Sequence, residues 1–547
     1  MTDYDTLRVR LGRRPVTVVE LDLDFCANTY GVSPCTAAVG TTGTQKCFNT
    51  YNTCQDTAHY SKTTKTYKFC SESAFLPIGE NIFPCITDVD IAPTQLKPGS
   101  FSVSASVKIT MKDFPHHDRG LDPYVSSRSY DPTAQGTFFG KLKARNVAVV
   151  NRVMRVNTGY IDGDRTIYTL TRTYFIDRIE GPDASGRVSI IGKDILRFPE
   201  IEKTKIPKAA TGFLSTAAPS VGTFSITLPS GLGANYAASG NLALEDEIVG
   251  FTRSGDTINV TVRNNGTTTA TSHPAGTPLQ EGFPNSIVSY KPVELIRDLL
   301  LASGIDSSYI PYSDWTTESD LYFSANSIGT IFFKPESVKS LIESILEDFG
   351  CALWWDELAA EIKFKVISTA GMPSVTLNDN DHFLDGSLSV KSLEKDRFSR
   401  IQISFGMLHV NGSGAVPNFV SKLTPDAENM ARSKVVIDTA SESPNSYGSV
   451  VLKTILSRWL KDNVNGSNEA SAIASRYLAR YSKTPREITF KLDAKDSSIR
   501  TGDVIALNSR LLTAPDGSQP DVKCLITQFH EVIVGSQYQY VALELPA

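Results

Sequence analysis

Strand after strand, joined by tight turns, is the feature that most limits how this chain can fold. From residue 86 to about 200 apolar and polar residues alternate. In SFSVSASVKITM, Phe101, Val103, Val107, Ile109 and Met111 all fall on odd positions. Successive side chains of a strand point to opposite faces, so this spacing gives one apolar and one polar face. KARNVAVVNRVMRV and RTIYTLTRTYFIDRIEG continue the pattern, with IDGD at 161–164 as the turn between them. GPDASGRVSIIGKDIL then closes a hairpin through Gly181, Asp183 and Gly186. Period-two strands with short turns predict an antiparallel barrel or sandwich, not a parallel sheet wrapped by helices.

At 547 residues the chain exceeds what one hydrophobic core serves, and three or four domains are expected. Residues 16–25, VTVVELDLDF, read as a strand. Near 205 the composition shifts to Gly, Ser, Thr and Ala, and short strands (FSITL, EIVGF, INVTV) predict a small all-β insertion. Helices enter only after 290. PVELIRDLLLASGI opens on Pro292 and stops before Gly304. PESVKSLIESILEDFG places Val338, Leu341, Ile342, Ile345, Leu346 and Phe349 on one face, with Gly350 as the stop. CALWWDELAAEIKFKVI reads as a hairpin, with one of Trp354 and Trp355 in the core and the other at an interface. The last third returns to strands, interrupted by a helix expected through VVLKTILSRWL and SNEASAIASRYLARYS, with Ser467 or Asn468 as its cap. The fold class is therefore mainly β with some α (α+β) and multidomain.

Net charge is −5 with a pI near 5.9, which leaves no basic footprint for specific nucleic-acid binding. No run approaches the ~18 apolar residues of a membrane span. The opening MTDYDTLRVRLGRRPVTVVE lacks the apolar core of a signal peptide, so a reducing cytoplasm is expected, where disulfides are rare.

That expectation bears on six cysteines near the start. Cys26, Cys35, Cys47, Cys54, Cys70 and Cys85 are separated by intervals of eight, eleven, six, fifteen and fourteen residues, while Cys351 and Cys524 stand alone. A disulfide framework, a zinc site, an iron–sulfur cluster and metal-free structural thiols all remain open on spacing alone. Zinc favours C-x2-C pairs. A cluster is bulkier and can be held from a long irregular loop, such as this one with Gly31, Pro34, Gly40 and Gly43. Lys46, Lys62, Lys65 and Lys68 are placed to offset thiolate charge.

The pairs Cys26-x8-Cys35 and Cys47-x6-Cys54, with YG after the first Cys and CFNTYNTCQD across the second pair, resemble the cysteine domain of siphophage tail-tip hub proteins. The phage lambda tail-tip protein and the hub of the bacterial gene transfer agent are similar members. The resemblance implies that Cys26, Cys35, Cys47 and Cys54 ligate a [4Fe–4S] cluster, with Cys70 or Cys85 as substitutes for one ligand. It also implies a homotrimer, each chain giving two related β-barrels to a pseudo-sixfold ring. Such a hub meets distal tail or tail tube proteins, the tape-measure protein, and a central fibre or receptor-binding proteins. Its place is the virion, at the tail tip or baseplate of a non-contractile-tailed phage, after assembly in the host cytoplasm. On this reading residues 1–25 are strands of the first hub barrel, 26–85 the cysteine-rich iron–sulfur domain, and 86–204 the first barrel itself. Residues 205–284 form the insertion, 285–385 a mixed α/β segment, and 386–547 the second hub barrel with a helical insertion.

Catalytic signatures do not emerge: G-x-S-x-G, G-x-x-x-x-G-K-[ST] and H-E-x-x-H are absent, and no enzyme is expected. Asp162-Gly163-Asp164 and Asp379-Asn380-Asp381 depart from the calcium-loop pattern and read as turns. His116 and His117 are expected in a solvated loop, and His273 and His530 without visible partners. Two other readings stay in view: an iron–sulfur redox protein, and a receptor- or carbohydrate-binding tail protein suggested by the Thr/Ser-rich insertion.

Overall fold

In the computed structural model the described residues are 3–37, 47–71, 76–77, 80–99, 105–119, 121–125, 136–197, 203–263, 270–284, 290–323, 328, 332–407, 428 and 430–546. Phe101 and Val103 of the alternation, and Gly40, Gly43 and Lys46 of the cysteine segment, lie outside them.

The expected strands build an eight-stranded sheet. Its members are β1 (Pro15–Cys26), β2 (Lys62–Cys70), β3 (Ile82–Pro84), β4 (Ile86–Ala92), β5 (Ser106–Lys112), β6 (Val153–Ile161), β7 (Ile167–Glu180) and β8 (Arg187–Lys193). They lie in the order β3-β2-β1-β6-β7-β8-β5-β4, antiparallel except for the β2–β3 pair. The edge strands β3 and β4 are separated by Cys85 alone, and Phe69, Ile91, Val107, Met154 and Tyr174 share one core, so the sheet curls on itself. In β1 the alternation is literal. Val19, Leu21 and Leu23 enter that core, while Arg155 of β6 pairs with Glu20 and Asp22 at 2.8 and 2.6 Å on the outer face. Strands β2 and β3 come from the segment expected to be a separate cysteine domain, while the described residues 27–37 and 47–61 stand apart from the sheet. One helix, α2 (Phe138–Arg145, with α1 at Asp3–Arg8), replaces the strand expected at the start of KARNVAVVNRVMRV, because Phe138, Phe139 and Leu142 close one end of the core.

The insertion is a five-stranded antiparallel sheet with its own core. After a short β9 (Lys205–Ile206) come β10 (Phe224–Thr227), β11 (Ser239–Leu244), β12 (Glu247–Ser254), β13 (Thr257–Val262) and β14 (Gln280–Glu281), in the order β10-β13-β12-β11-β14.

The central unit gathers α3 (Pro292–Ala302), α4 (Tyr312–Asp320), β15 (Glu336–Ser337), α5 (Val338–Phe349), β16 (Cys351–Asp356) and β17 (Glu361–Val366). The six apolar positions expected on α5 are all buried, Ser337 caps its start, and Gly350 ends it at φ +64°, a conformation that favours glycine. Trp354 and Trp355 are both buried, on opposite faces. Trp355 joins the central core, and Trp354 packs over Gly502, where a Cβ would come within 2.7 Å of the indole.

A six-stranded sheet, β18-β24-β25-β26-β23-β19, closes the chain. Its strands are β18 (Thr376–Asn378), β19 (Ser389–Ser392), β23 (Arg486–Asp493), β24 (Val504–Asn508), β25 (Val522–Ile533) and β26 (Gln537–Glu544). Between β19 and β23 lie β20 (Arg400–Met407), β21 (Met430–Ile437), β22 (Leu452–Leu456) and α6 (Val464–Tyr481). This excursion does not belong to the second sheet: Ile401, Ile403, Phe405, Ile473 and Leu478 complete the central core. The helix expected over VVLKTILSRWL is instead β22, parallel to β20, where β-branched Thr454 and Ile455 fit a pleated surface. Helix α6 accordingly starts later than that segment and is capped by Asn463, not Ser467 or Asn468.

The two large sheets meet through buried polar groups. Arg172 of β7 and Glu531 of β25, 2 % and 1 % exposed, pair at 2.9 Å. Glu531 also accepts from the Thr158 hydroxyl, the Tyr538 hydroxyl and the Gly535 amide. Removing one partner of a buried pair strands the other charge, so R172M is expected to cost about 3–5 kcal/mol in urea denaturation, and R172M/E531L to recover most of it. Asp348 is buried beside Ser457, and burial pushes its pKa up to about 8. Its native pKa exceeds the unfolded value, so the protein loses stability as pH rises from about 4 toward 8. D348N should therefore stabilise by about 1–3 kcal/mol near pH 7 and by much less at pH 4, read as pH-dependent melting.

Candidate metal-cluster site

The cysteine segment is a polar loop bounded by two paired strands. Cys26 is the last residue of β1, opposite Lys62, and its amide donates to the Asn49 carbonyl at 2.7 Å. Cys35 closes a turn onto Val32. Cys47 accepts from the Asn49 amide at 3.2 Å, and Cys54 follows a 3-10 turn over Tyr51–Thr53. Asn49 holds φ at +57°, in the left-handed region that Asn tolerates, and its side-chain amide donates to the carbonyls of Cys26 and Asn28. Asp56 ties the two halves together: it accepts from the Thr36 amide at 2.7 Å and the Thr36 hydroxyl at 2.9 Å, with His59 Nδ1 also at 2.9 Å. The Thr36 amide first, then His59, hold its carboxyl down at about 2.

The fold brings the four thiols into one neighbourhood. Burial raises the Cys47 pKa, and Cys54, Cys26 and Cys35 add to the rise against the Asn49 amide. Cys54 is likewise raised, by burial first and then by Cys26, Cys35 and Asp56, against the Asp56 amide. Among the described residues no group of three or more His, Cys, Asp or Glu is spaced for one metal ion. Zn–S bonds of about 2.3 Å would draw four sulfurs to about 3.8 Å from one another. The Tyr60 hydroxyl lies close enough to Cys26, Cys54 and Cys47 to feel their charge, and among the described residues it and the Gln55 side-chain amide are buried without an acceptor.

Cys70 and Cys85 are elsewhere. Cys70 pairs with Val18 at the far end of β2, eight residues from Lys62, or about 26 Å at ~3.3 Å per residue. It neighbours Cys85, whose thiol burial pushes up to about 12, with Cys70 and Asp113 adding. The lysines divide similarly: Lys62 pairs with Asp24 beside Cys26, whereas Lys68 pairs with Glu20 and Glu80. Lys65 donates to the Leu121 carbonyl and lies over the Phe25 ring.

The loop is docked onto the first sheet at α2. The Arg145 guanidinium sits 3.9 Å above the Phe48 ring, Asn52 donates to the Ala144 carbonyl, and the Tyr124 hydroxyl accepts from the Tyr30 amide at 2.8 Å. Arg145 is itself fixed by Asp118, which is 1 % exposed and also pairs with Lys141. His116 is not in solvent; it packs edge-on against Phe83, Phe114 and Phe138 and accepts from the Asp118 amide. Sequence reading missed Asn49, Gln55, Asp56 and Tyr60, although all but Tyr60 lie within or beside the CFNTYNTCQD stretch.

His273 and His530 also have partners. His273 is buried between Glu245 and Glu247 at 2.9 Å each, and Arg263 pairs with Glu247. His530 is half-buried, and burial lowers its pKa while Asp90 opposes. Both acidic triplets are turns, with Asp162 capping Gly163 and Asn378 capping Asn380 and Asp381. Cys351 and Cys524 are buried, and burial raises both. No helix of the described residues is long and apolar enough to cross a membrane.

No protein-family model and no curated protein matches the chain. Among solved structures it is similar to a tail protein from Neisseria meningitidis MC58, at 9% identity and TM-score 0.36, over 83% of this chain and 96% of that one. It is also similar to the 43 kDa tail protein of prophage MuSo2 from Shewanella oneidensis, at 8% identity and TM-score 0.37, over 84% and 97%. A chain in the virion of a native gene transfer agent particle is similar at 9% identity and TM-score 0.34, over 62% and 85%.

N49A removes two side-chain hydrogen bonds and places alanine in the left-handed region, at a combined cost of about 2–4 kcal/mol to the loop. Limited proteolysis should then cut within 27–61 while the sheet cores stay resistant; resistance of that loop in N49A would show that Asn49 does not hold it.

Proposed function

We propose that this chain is a structural virion protein, the baseplate or tail-tip hub of a non-contractile-tailed bacteriophage, in which Cys26, Cys35, Cys47 and Cys54 hold a [4Fe–4S] cluster. The observation that carries this reading is the convergence of those four thiols from one polar loop. That loop has the hub-type cysteine spacing and is docked on a curled sheet that is joined to a second one. Four thiolate bonds would cross-link a segment that has little apolar material of its own, as coordination does in small metal-bound domains. Asn49, Asp56 and the Tyr51–Thr53 turn hold the cysteines in place; Arg145 and Asn52 anchor the loop to the sheet.

Two sheets per chain suit a homotrimer, because three copies present six sheets to a tail tube of sixfold symmetry. The hub would join distal tail or tail tube proteins on one side to a central fibre or receptor-binding proteins on the other, with the tape-measure protein in the lumen. It would reside in the virion after assembly in the host cytoplasm, and no catalytic step is assigned to it.

Protein purified without oxygen should contain one [4Fe–4S] cluster per chain, measured as iron and acid-labile sulfide. Serine at Cys26, Cys35, Cys47 or Cys54 should remove iron and open 27–61 to protease, while C70S and C85S should keep both. Particles should show threefold symmetry at this position. An iron-free parent removes the cluster, and a hexamer of this chain removes the hub geometry. Catalytic turnover by the iron-loaded protein would favour a redox enzyme, and cell binding by the insertion a receptor-binding protein.

A further inference from the structure

Among the described residues of the cysteine loop, the Tyr60 hydroxyl, Gln55 Nε2 and Asn49 Oδ1 are buried without a hydrogen-bond partner. A buried donor left without an acceptor costs about 1–3 kcal/mol, so such atoms in one place call for a physical reason. The Tyr60 hydroxyl lies close enough to Cys26, Cys54 and Cys47 to feel their charge, and Gln55 adjoins Cys54 in the chain. Tyr60 precedes Ser61, whose carbonyl accepts from Ala27 next to Cys26, and its ring meets Tyr51 edge-on at 5.2 Å, three residues before Cys54. Gln55 follows Cys54 directly, and its Oε1 accepts from the Tyr30 hydroxyl, which orients Nε2 away from that contact. Two donors from different turns of the same loop are thus available to the site. Asn49 Oδ1 is an acceptor and has the wrong polarity for an anionic sulfur; its amide is already committed to Cys26 and Asn28.

We propose that the Tyr60 O–H and the Gln55 Nε2–H donate hydrogen bonds to sulfur atoms of the bound cluster and set its reduction potential. The inference rests on the cluster assignment above. Reduction adds negative charge to the sulfurs, and a donor aimed at sulfur stabilises the reduced form more than the oxidised one, raising the potential. Among the described residues Asp24 pairs with Lys62 and Arg152, and Asp56 with His59, which leaves these two neutral donors as the adjustable part.

The test compares the anaerobically purified parent with Y60F, Q55L and Y51F, measuring iron and sulfide per chain and the midpoint potential by EPR-monitored titration. Tyr51 is 61 % exposed and serves as the control. Y60F and Q55L should each keep the parental iron content and move the potential negative. A tenfold change in the redox equilibrium corresponds to about 59 mV for one electron. Y51F should leave the potential unchanged. Equal iron with parental potentials in both Y60F and Q55L overturns the inference and leaves the cluster standing; an iron-free parent overturns the cluster and the inference with it. Should Y60F lose iron, Q55L decides by the same two readings.

Discussion

The contact between Arg172 and Glu531 is the constraint on which the arrangement of the two large sheets depends. Both groups are almost fully withdrawn from water, and taking ions out of water costs more than a single contact returns. The cost is offset because Glu531 receives the Thr158 hydroxyl, the Tyr538 hydroxyl and the Gly535 amide, while the Tyr160 hydroxyl donates to the Gly535 carbonyl. Sliding one sheet over the other would break the bonds from Arg172, Thr158 and Tyr160 together. An apolar interface would tolerate sliding; this one does not. Around it, Gln95 bridges Gln528, and Arg13 forks onto Asp493.

Strand β7 serves two neighbours from adjacent residues. Arg172 turns to the second sheet, while the backbone of Thr173 donates to the Glu357 carbonyl and accepts from the Trp355 indole. Because β8 pairs with β7 only from Phe175 onward, the Thr173 backbone is free to bond the central unit while the Arg172 side chain reaches the second sheet. The cysteine loop relies on the same sheet through Arg145, which Asp118 holds over Phe48. The loop's geometry is therefore inherited from the barrel-like core beneath it, and its own contribution is a set of polar turns.

Local pattern alone determined a good deal. The alternation in β1 and β5, the amphipathic α5 with its Gly350 stop, Pro292 at the start of α3 and the low-charge insertion were all legible, because each depends on residues within one or two turns of chain. Tertiary structure decided the rest. VVLKTILSRWL became a strand because β20 offered it a parallel partner, and 400–481 left the second sheet to complete the central core. The thiols separated into two sets because β2 carries Cys70 about 26 Å from Cys26, a distance that sequence spacing hides. His273 found Glu245 and Glu247 from 28 and 26 residues upstream, and Arg172 found Glu531 from the other end of the chain. Periodicity reports which face of an element is apolar, but only packing determines what that face, or a buried charge upon it, will meet.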